Sequence, residues 1–304
     1  MSSQTIQTSY RYKIMKKRTR LLSATTAVLA ALISPANADG LPDPGVEFAK
    51  GHVAIVITDP QIDFLSPEGV AWELVGKNVE ENNTVENIDR LMKIAGEMDI
   101  PLFISPHYYF PSDLDWDHGG ALEAAMHHLH MFERAGQLDL TGFDGSGSDW
   151  MPQYKKYINN GKTYVSSPHK LYGPESNDTV LQLRKRGIDQ IILAGMSANL
   201  CTESHMREFL EQGFEVLVVT DAIAAAQVPG YDGYAAAITN TRMIANSVKS
   251  TDETIKQIEE QLQNVTPQGS QMMQGKDMQM KQGNDKQMKQ EKPESSHGTE
   301  EAGD

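Results

Sequence analysis

The sequence predicts a three-layer α/β/α domain on a mainly parallel sheet, and three observations predict it. Short apolar runs recur along the middle of the chain, most of them followed by a longer segment with apolar residues at helical spacing. The runs are apolar at consecutive rather than alternating positions, as in strands buried on both faces. Several run into loops that carry reactive side chains, and open α/β sheets seat their ligands beyond the C-terminal ends of the strands.

In chain order, His52–Thr58 (HVAIVIT) reads as the first strand, ending at Asp59-Pro60-Gln61-Ile62-Asp63-Phe64. Thr84–Met98 sets Val85, Ile88, Leu91, Met92 and Ala95 on one helical face. Ile100–Ser105 (IPLFIS) is the second strand and runs into Pro106-His107-Tyr108-Tyr109-Phe110. Residues 111–160 are irregular and rich in Trp, Tyr, His and Gly, with a short helix expected over Ala121–Ala135. A loop region this long inside an α/β domain is usually functional. His127, His128 and His130 within it include adjacent and i+2 pairs, which do not share a helix face well, so they are not read as a metal site. Thr163–Ser166 is the third strand, leading through Pro168-His169 to Lys170, and Asp178–Arg186 is a helix stopped by Gly187. Ile191–Ala194 is the fourth strand, broken by Gly195. A helix then begins at Cys201, with Met206, Phe209 and Leu210 on one face. Phe214–Thr220 is the fifth strand, ending in Asp221-Ala222, and helices over Tyr234–Asn246 and Asp252–Leu262 complete the domain.

The flanks read differently. Residues 1–38 carry Arg11, Lys13, Lys16, Lys17, Arg18 and Arg20, then the apolar run Leu21–Ile33 and Ala36-Asn37-Ala38. This is the pattern of a signal peptide, and the run is short for a membrane span. The chain is expected to be exported, periplasmic or secreted, with a domain over 39–263. Losing six cations would take the net charge from −14 to −20. That acidity speaks against nucleic acid or anionic lipid as partners. Residues 264–304 are rich in Met, Gln and Lys and poor in β-branched and aromatic residues, which predicts a disordered tail. Its methionines would suit Cu(I), but without flanking histidine clusters a solvated tether is the better reading.

Chemistry gathers at three predicted strand ends. Cys201, the only cysteine, sits where a strand delivers the chain into a helix, a position expected to favour a thiolate. Asp59 and Lys170 lie just past two other strands and can reach the same crevice. A sulfur nucleophile, a carboxylate that relays a proton and an ammonium that holds both form a coherent hydrolytic set.

With these residues in place, the chain resembles the isochorismatase-like cysteine hydrolases. The matching pieces are the first strand with Asp59–Phe64, Lys170, Gly195-Met196-Ser197-Ala198-Asn199-Leu200-Cys201, and Val219-Thr220-Asp221-Ala222. The resemblance spans roughly residues 50–260. It implies a six-stranded sheet in the order 3-2-1-4-5-6 and an Asp59–Lys170–Cys201 triad. It further implies an oxyanion hole from the backbone N–H groups at Ser197 and Cys201, and a cis peptide at Met196–Ser197. Members that keep the cysteine are mostly amidohydrolases acting on small amides or ureido compounds. The metal-dependent nicotinamidases carry an Asp-x-His pair and a further His after the second strand. Here Ser105-Pro106-His107-Tyr108-Tyr109 supplies one such ligand, so no metal and no cofactor are expected.

Candidate substrate contacts are Gln61, Phe64, His107, Tyr108, Trp116 and Trp150. The expected partners are a small-molecule amide and further copies of the chain in a homo-oligomer, with neither nucleic acid nor membrane after signal cleavage. Two other readings stand beside hydrolysis. One is an inactive small-molecule-binding protein, since His169 beside Lys170 and Thr202 after Cys201 are unusual neighbours for the family. The other is a thiol redox protein, which the absence of a resolving cysteine disfavours.

Overall fold

The computed structural model describes residues 40–263. The expected signal peptide and C-terminal tail lie outside the described residues. Six strands form one sheet: β1 (Val53–Thr58), β2 (Leu102–Ser105), β3 (Tyr164–Val165), β4 (Gln190–Gly195), β5 (Glu215–Ile223) and β6 (Ser247–Lys249). Their order is β3-β2-β1-β4-β5-β6 and every neighbouring pair is parallel. The expected fold class and strand order are therefore observed. A two-stranded hairpin, Gln227–Val228 with Tyr231–Asp232, stands apart from the sheet.

The helices are α1 (Ile62–Leu65), α2 (Trp72–Glu81), α3 (Thr84–Glu97), α4 (Ala121–His128), α5 (Lys155–Ile158), α6 (Thr179–Lys185), α7 (Glu203–Glu211), α8 (Gly233–Ile244) and α9 (Thr251–Leu262). Side chains alternate across a strand, so each buried strand feeds two cores. Ile55, Ile57, Ile104, Ile192 and Leu217 pack with Val75, Ile88, Leu91, Met92 and Ile258 of α2, α3 and α9. Ala54, Val56, Phe103, Ile191, Leu193 and Val218 pack with Leu183, Met206, Phe209 and Ala237 of α6, α7 and α8. These two cores make the three layers.

Gly195 at the end of β4 is a fixed requirement. Its φ is +116°, and a Cβ there would lie 2.1 Å from the Thr58 carbonyl oxygen of β1. The next peptide, Met196–Ser197, is cis. The long segment between β2 and β3 is pinned to the end of β1. The Ile62 and Asp63 N–H groups donate to the Asp149 and Gly147 carbonyls at 2.9 and 2.8 Å. The buried Asp63 carboxylate accepts from the Phe132 N–H at 2.7 Å.

Candidate active site

Four adjacent strands, β3, β2, β1 and β4, each deliver one side chain to a single buried cluster just beyond their C-terminal ends: His169, His107, Asp59 and Cys201. One ligand-type atom from each lies within 4.8 Å of all the others. Asp59 turns out of β1 with φ +46°, a left-handed conformation that aspartate tolerates better than most residues. His107 and His169 are held side by side by a parallel bridge one residue out of step with the β2–β3 pairs.

Asp59 is fully buried. Its Oδ1 lies 2.7 Å from His169 Nε2, whereas its Oδ2 has no hydrogen-bond partner among the described residues. The other nitrogen of His169, Nδ1, lies 3.2 Å from the Leu171 carbonyl. Both ring nitrogens of His169 thus face oxygen acceptors. An imidazole is thus paired with Asp59 where the resemblance implied an ammonium.

Two neutral histidines flank that pair. His205 donates from Nδ1 to the Cys201 carbonyl at 2.7 Å, and its Nε2 accepts from Ser105 Oγ at 2.7 Å. Burial, followed by the nearby His169 charge, lowers its pKa to about 3. His107 donates from Nε2 to the Lys170 carbonyl at 3.1 Å. Burial and His169 likewise hold it well below the usual histidine range.

Cys201 is buried inside a short π-helical turn, Ala198–Thr202, that leads into α7. The backbone N–H groups of Ser197 and Cys201 act on its sulfur and favour the thiolate. They are outweighed. Burial, then the nearby Asp59 carboxylate, push the thiol well above its ordinary range. The sequence expectation of a ready thiolate at a helix start is corrected accordingly. The sulfur is buried within the turn, its S–H directed at the Leu171 carbonyl at 4.0 Å and the Asp59 carboxylate in the same cluster, so burial favours the thiol with a base nearby.

Lys170 is the second correction. It does not join Asp59 and Cys201. Its Nζ donates to the Tyr108 carbonyl at 3.0 Å, pairs with the Asp113 carboxylate, and lies 3.6 Å from the centre of the Phe110 ring. The reason is local: a bridge holds His169 beside His107, and the chain bends at Lys170 directly after it. His169 therefore faces the cluster, and Lys170 fastens the 108–113 segment. Sequence reasoning also missed His205, four residues after Cys201 and so one turn along the helix from it.

The candidate substrate contacts divide. Phe64 and His107 line a cavity that reaches Cys201 and Ser197. Gln61 does not, because its side chain is spent on the His107 and Ser148 backbone at 2.9–3.0 Å. Tyr108 packs edge-on against Phe143 and Trp150, Trp150 pairs with Gln61 through a backbone bridge, and Trp116 lies edge-on to Tyr109. None of these last three lines that cavity. As donors, Asp59, His107, His169 and Cys201 form a set suited to a borderline cation such as zinc.

Residues 53–253 match the Isochorismatase domain family. A segment of 91 residues, 29% of the chain and 48% of the relative, is 45% identical to the uncharacterized isochorismatase family protein YwoC of Bacillus subtilis (strain 168). A segment of 49 residues, 16% of the chain and 26% of the relative, is 49% identical to YecD of Escherichia coli O157:H7, described in the same words. These matches span about half or less of each relative's length. Among solved structures, a cysteine hydrolase from Pseudomonas syringae pv. phaseolicola 1448A aligns with a TM-score of 0.59 at 19% identity. The alignment covers 73% of this chain and 99% of that one, a likeness of fold.

Proposed function

This chain belongs to the isochorismatase family of hydrolases, and we propose that it is a cysteine hydrolase cleaving a C–N bond of a small amide or ureide through a thioester on Cys201. The observation that carries the proposal is the division of labour at Asp59. One carboxylate oxygen is held by His169, and the other is buried and unpartnered, on a side chain that shares its cluster with the Cys201 sulfur.

Asp59 Oδ2 takes the thiol proton as Sγ bonds to the substrate carbonyl carbon. The negative charge that develops on the carbonyl oxygen is met by the N–H groups of Ser197 and Cys201, which already act on the sulfur. As the C–N bond breaks, Asp59 passes the proton to the departing nitrogen. Water then attacks the thioester, giving its proton to Asp59, which returns it to the leaving sulfur. His169 stays hydrogen-bonded to Asp59 Oδ1 throughout and so offsets the carboxylate in a buried site. Its role is to position and neutralise Asp59, the task that the family resemblance assigned to a lysine.

The test is ammonia release over a panel of small amides and ureides, with mass spectrometry of acid-quenched turnover. An acyl adduct on Cys201, absent in Cys201→Ala, is the expected result. Turnover that survives Cys201→Ala at a near-normal rate would end the proposal.

A further inference from the structure

The cavity that opens onto Cys201 says which acyl group this site takes. It has a volume of about 90 Å³, and among the described residues its lining contains no Asp, Glu, Lys or Arg. Its walls are Phe64 of α1, Leu74 and Val75 of α2, and Leu122 and Met126 of α4, with Met131 just beyond. The helix α4 lies within the long segment after β2. Residues 122, 125, 126 and 129 fall at helical spacing and supply its apolar stripe to the cavity. The conspicuous histidines of that region do other things: His127 packs edge-on against Tyr109, and His130 pairs with Glu133.

Resting on the hydrolase reading above, we infer that the substrate is the amide of an uncharged, short aliphatic acid, its acyl chain seated between α1, α2 and α4 with its carbonyl at Cys201. Two physical arguments support this. A charged substituent would shed its hydration into walls that offer no counter-charge, which costs far more than the cavity could return. Size fixes the rest. An apolar cavity of about 150 Å³ holds benzene, roughly 25 Å³ per heavy atom, so this one holds about four. Ureido acids, with a carboxylate near the reacting carbonyl, are the wrong shape and charge.

The experiment has two arms. In the first, kcat/KM is measured from acetamide to hexanamide, with succinamate and N-carbamoylglycine as charged comparators. Each added methylene should raise kcat/KM about fourfold until the chain fills the cavity near four carbons, then the trend should reverse. The charged compounds should fall at least about a hundredfold below butyramide. Preference for either charged compound, or no dependence on chain length, overturns the inference while leaving hydrolysis intact.

The second arm needs no turnover. Aldehydes of the same chain lengths add the Cys201 sulfur to their carbonyl carbon, the thiol proton passing to the oxygen, and protection of Cys201 from iodoacetamide is read by mass spectrometry. A chain-length optimum among the aldehydes with no amide hydrolysed would uphold the cavity assignment and sink the hydrolase reading. Aldehydes that protect equally whatever their length would refute the assignment. Met126→Ala should move the optimum to longer chains in both arms, and an unmoved optimum in a folded variant would count against it.

Discussion

Replacing His169 by alanine is the perturbation that tests the site most directly, because the neighbouring residue provides the control. His169 and Asp59 are both wholly buried and meet at 2.7 Å. Removing one member of such a pair strands the other without a counter-charge, at a cost of about 3–5 kcal/mol. Mapped onto the barrier, the middle of that range, about 4 kcal/mol, is roughly a thousandfold in rate. His169→Ala should therefore lower kcat by about a thousandfold. His169→Lys, which returns a cation to the position, should recover at least about tenfold of that loss. Lys170→Ala removes an interaction with Asp113 and Phe110 outside the cluster, and should stay within about fivefold of the parent. The assay is ammonia release from the best amide, with thermal melts to exclude unfolding. A folded His169→Ala near full activity, together with an inactive Lys170→Ala, would refute the reasoning and return the lysine to the site.

Four further outcomes follow from the same geometry. Because burial and Asp59 push the Cys201 thiol up, its alkylation by iodoacetamide should be slow at neutral pH and still be climbing past pH 9; a plateau below pH 8 would contradict this. His205 has a folded pKa of about 3 against about 6.5 unfolded, so the unfolded chain binds more protons between those values. Stability should fall as pH drops through that window, by a few kcal/mol in all, and His205→Gln should flatten the fall in denaturant titrations. Gly195→Ala should cost more than about 3 kcal/mol, read as a large loss of melting temperature or of soluble protein, since neither its φ nor its contact with Thr58 admits a Cβ. Chelation should leave activity within about twofold, while added zinc should inhibit reversibly by occupying Asp59, His107, His169 and Cys201; a zinc requirement would reverse that assignment.

Much of the fold was legible because its signals are local. Consecutive apolar residues marked β1, β2, β4 and β5, and those strands stand where the runs place them. Helix α2 was not foreseen. Its ten residues include Gly76, and the Trp72 ring occupies the space a Cβ would need there, so the apolar stripe of Val75 and Val79 is short and interrupted. Strand β6 is three residues long at the sheet edge and is defined by pairing with Leu217–Val219 rather than by its own composition. Helix α4 ends at His128, short of the expected Ala135. Beyond it the chain takes left-handed turns at His130 and Phe132 and passes under the Asp63 carboxylate. That anchor comes from another part of the chain, and no periodicity within 121–135 records it.

The candidate site was legible as positions past strand ends, and less so as particular side chains. A residue just past a strand can be placed at the crevice from sequence, but which of two neighbours faces inward depends on the register of the strand before it. β3 is only two residues long, and its register is set by Phe103 and Ile104 of β2 and by the bridge from His107 to His169. The chain bends at Lys170 directly after that bridge, so His169 stays beside His107 and the ammonium turns to Asp113. The protonation of Cys201 escaped for a related reason. A helix start argues for a thiolate only while the sulfur is solvated, and here burial opposes the two N–H groups and Asp59 adds to the opposition. Both corrections lead to the same chemistry. A site that keeps its sulfur protonated at rest needs a carboxylate free to take that proton, and Asp59 stays free on one oxygen because His169 holds the other.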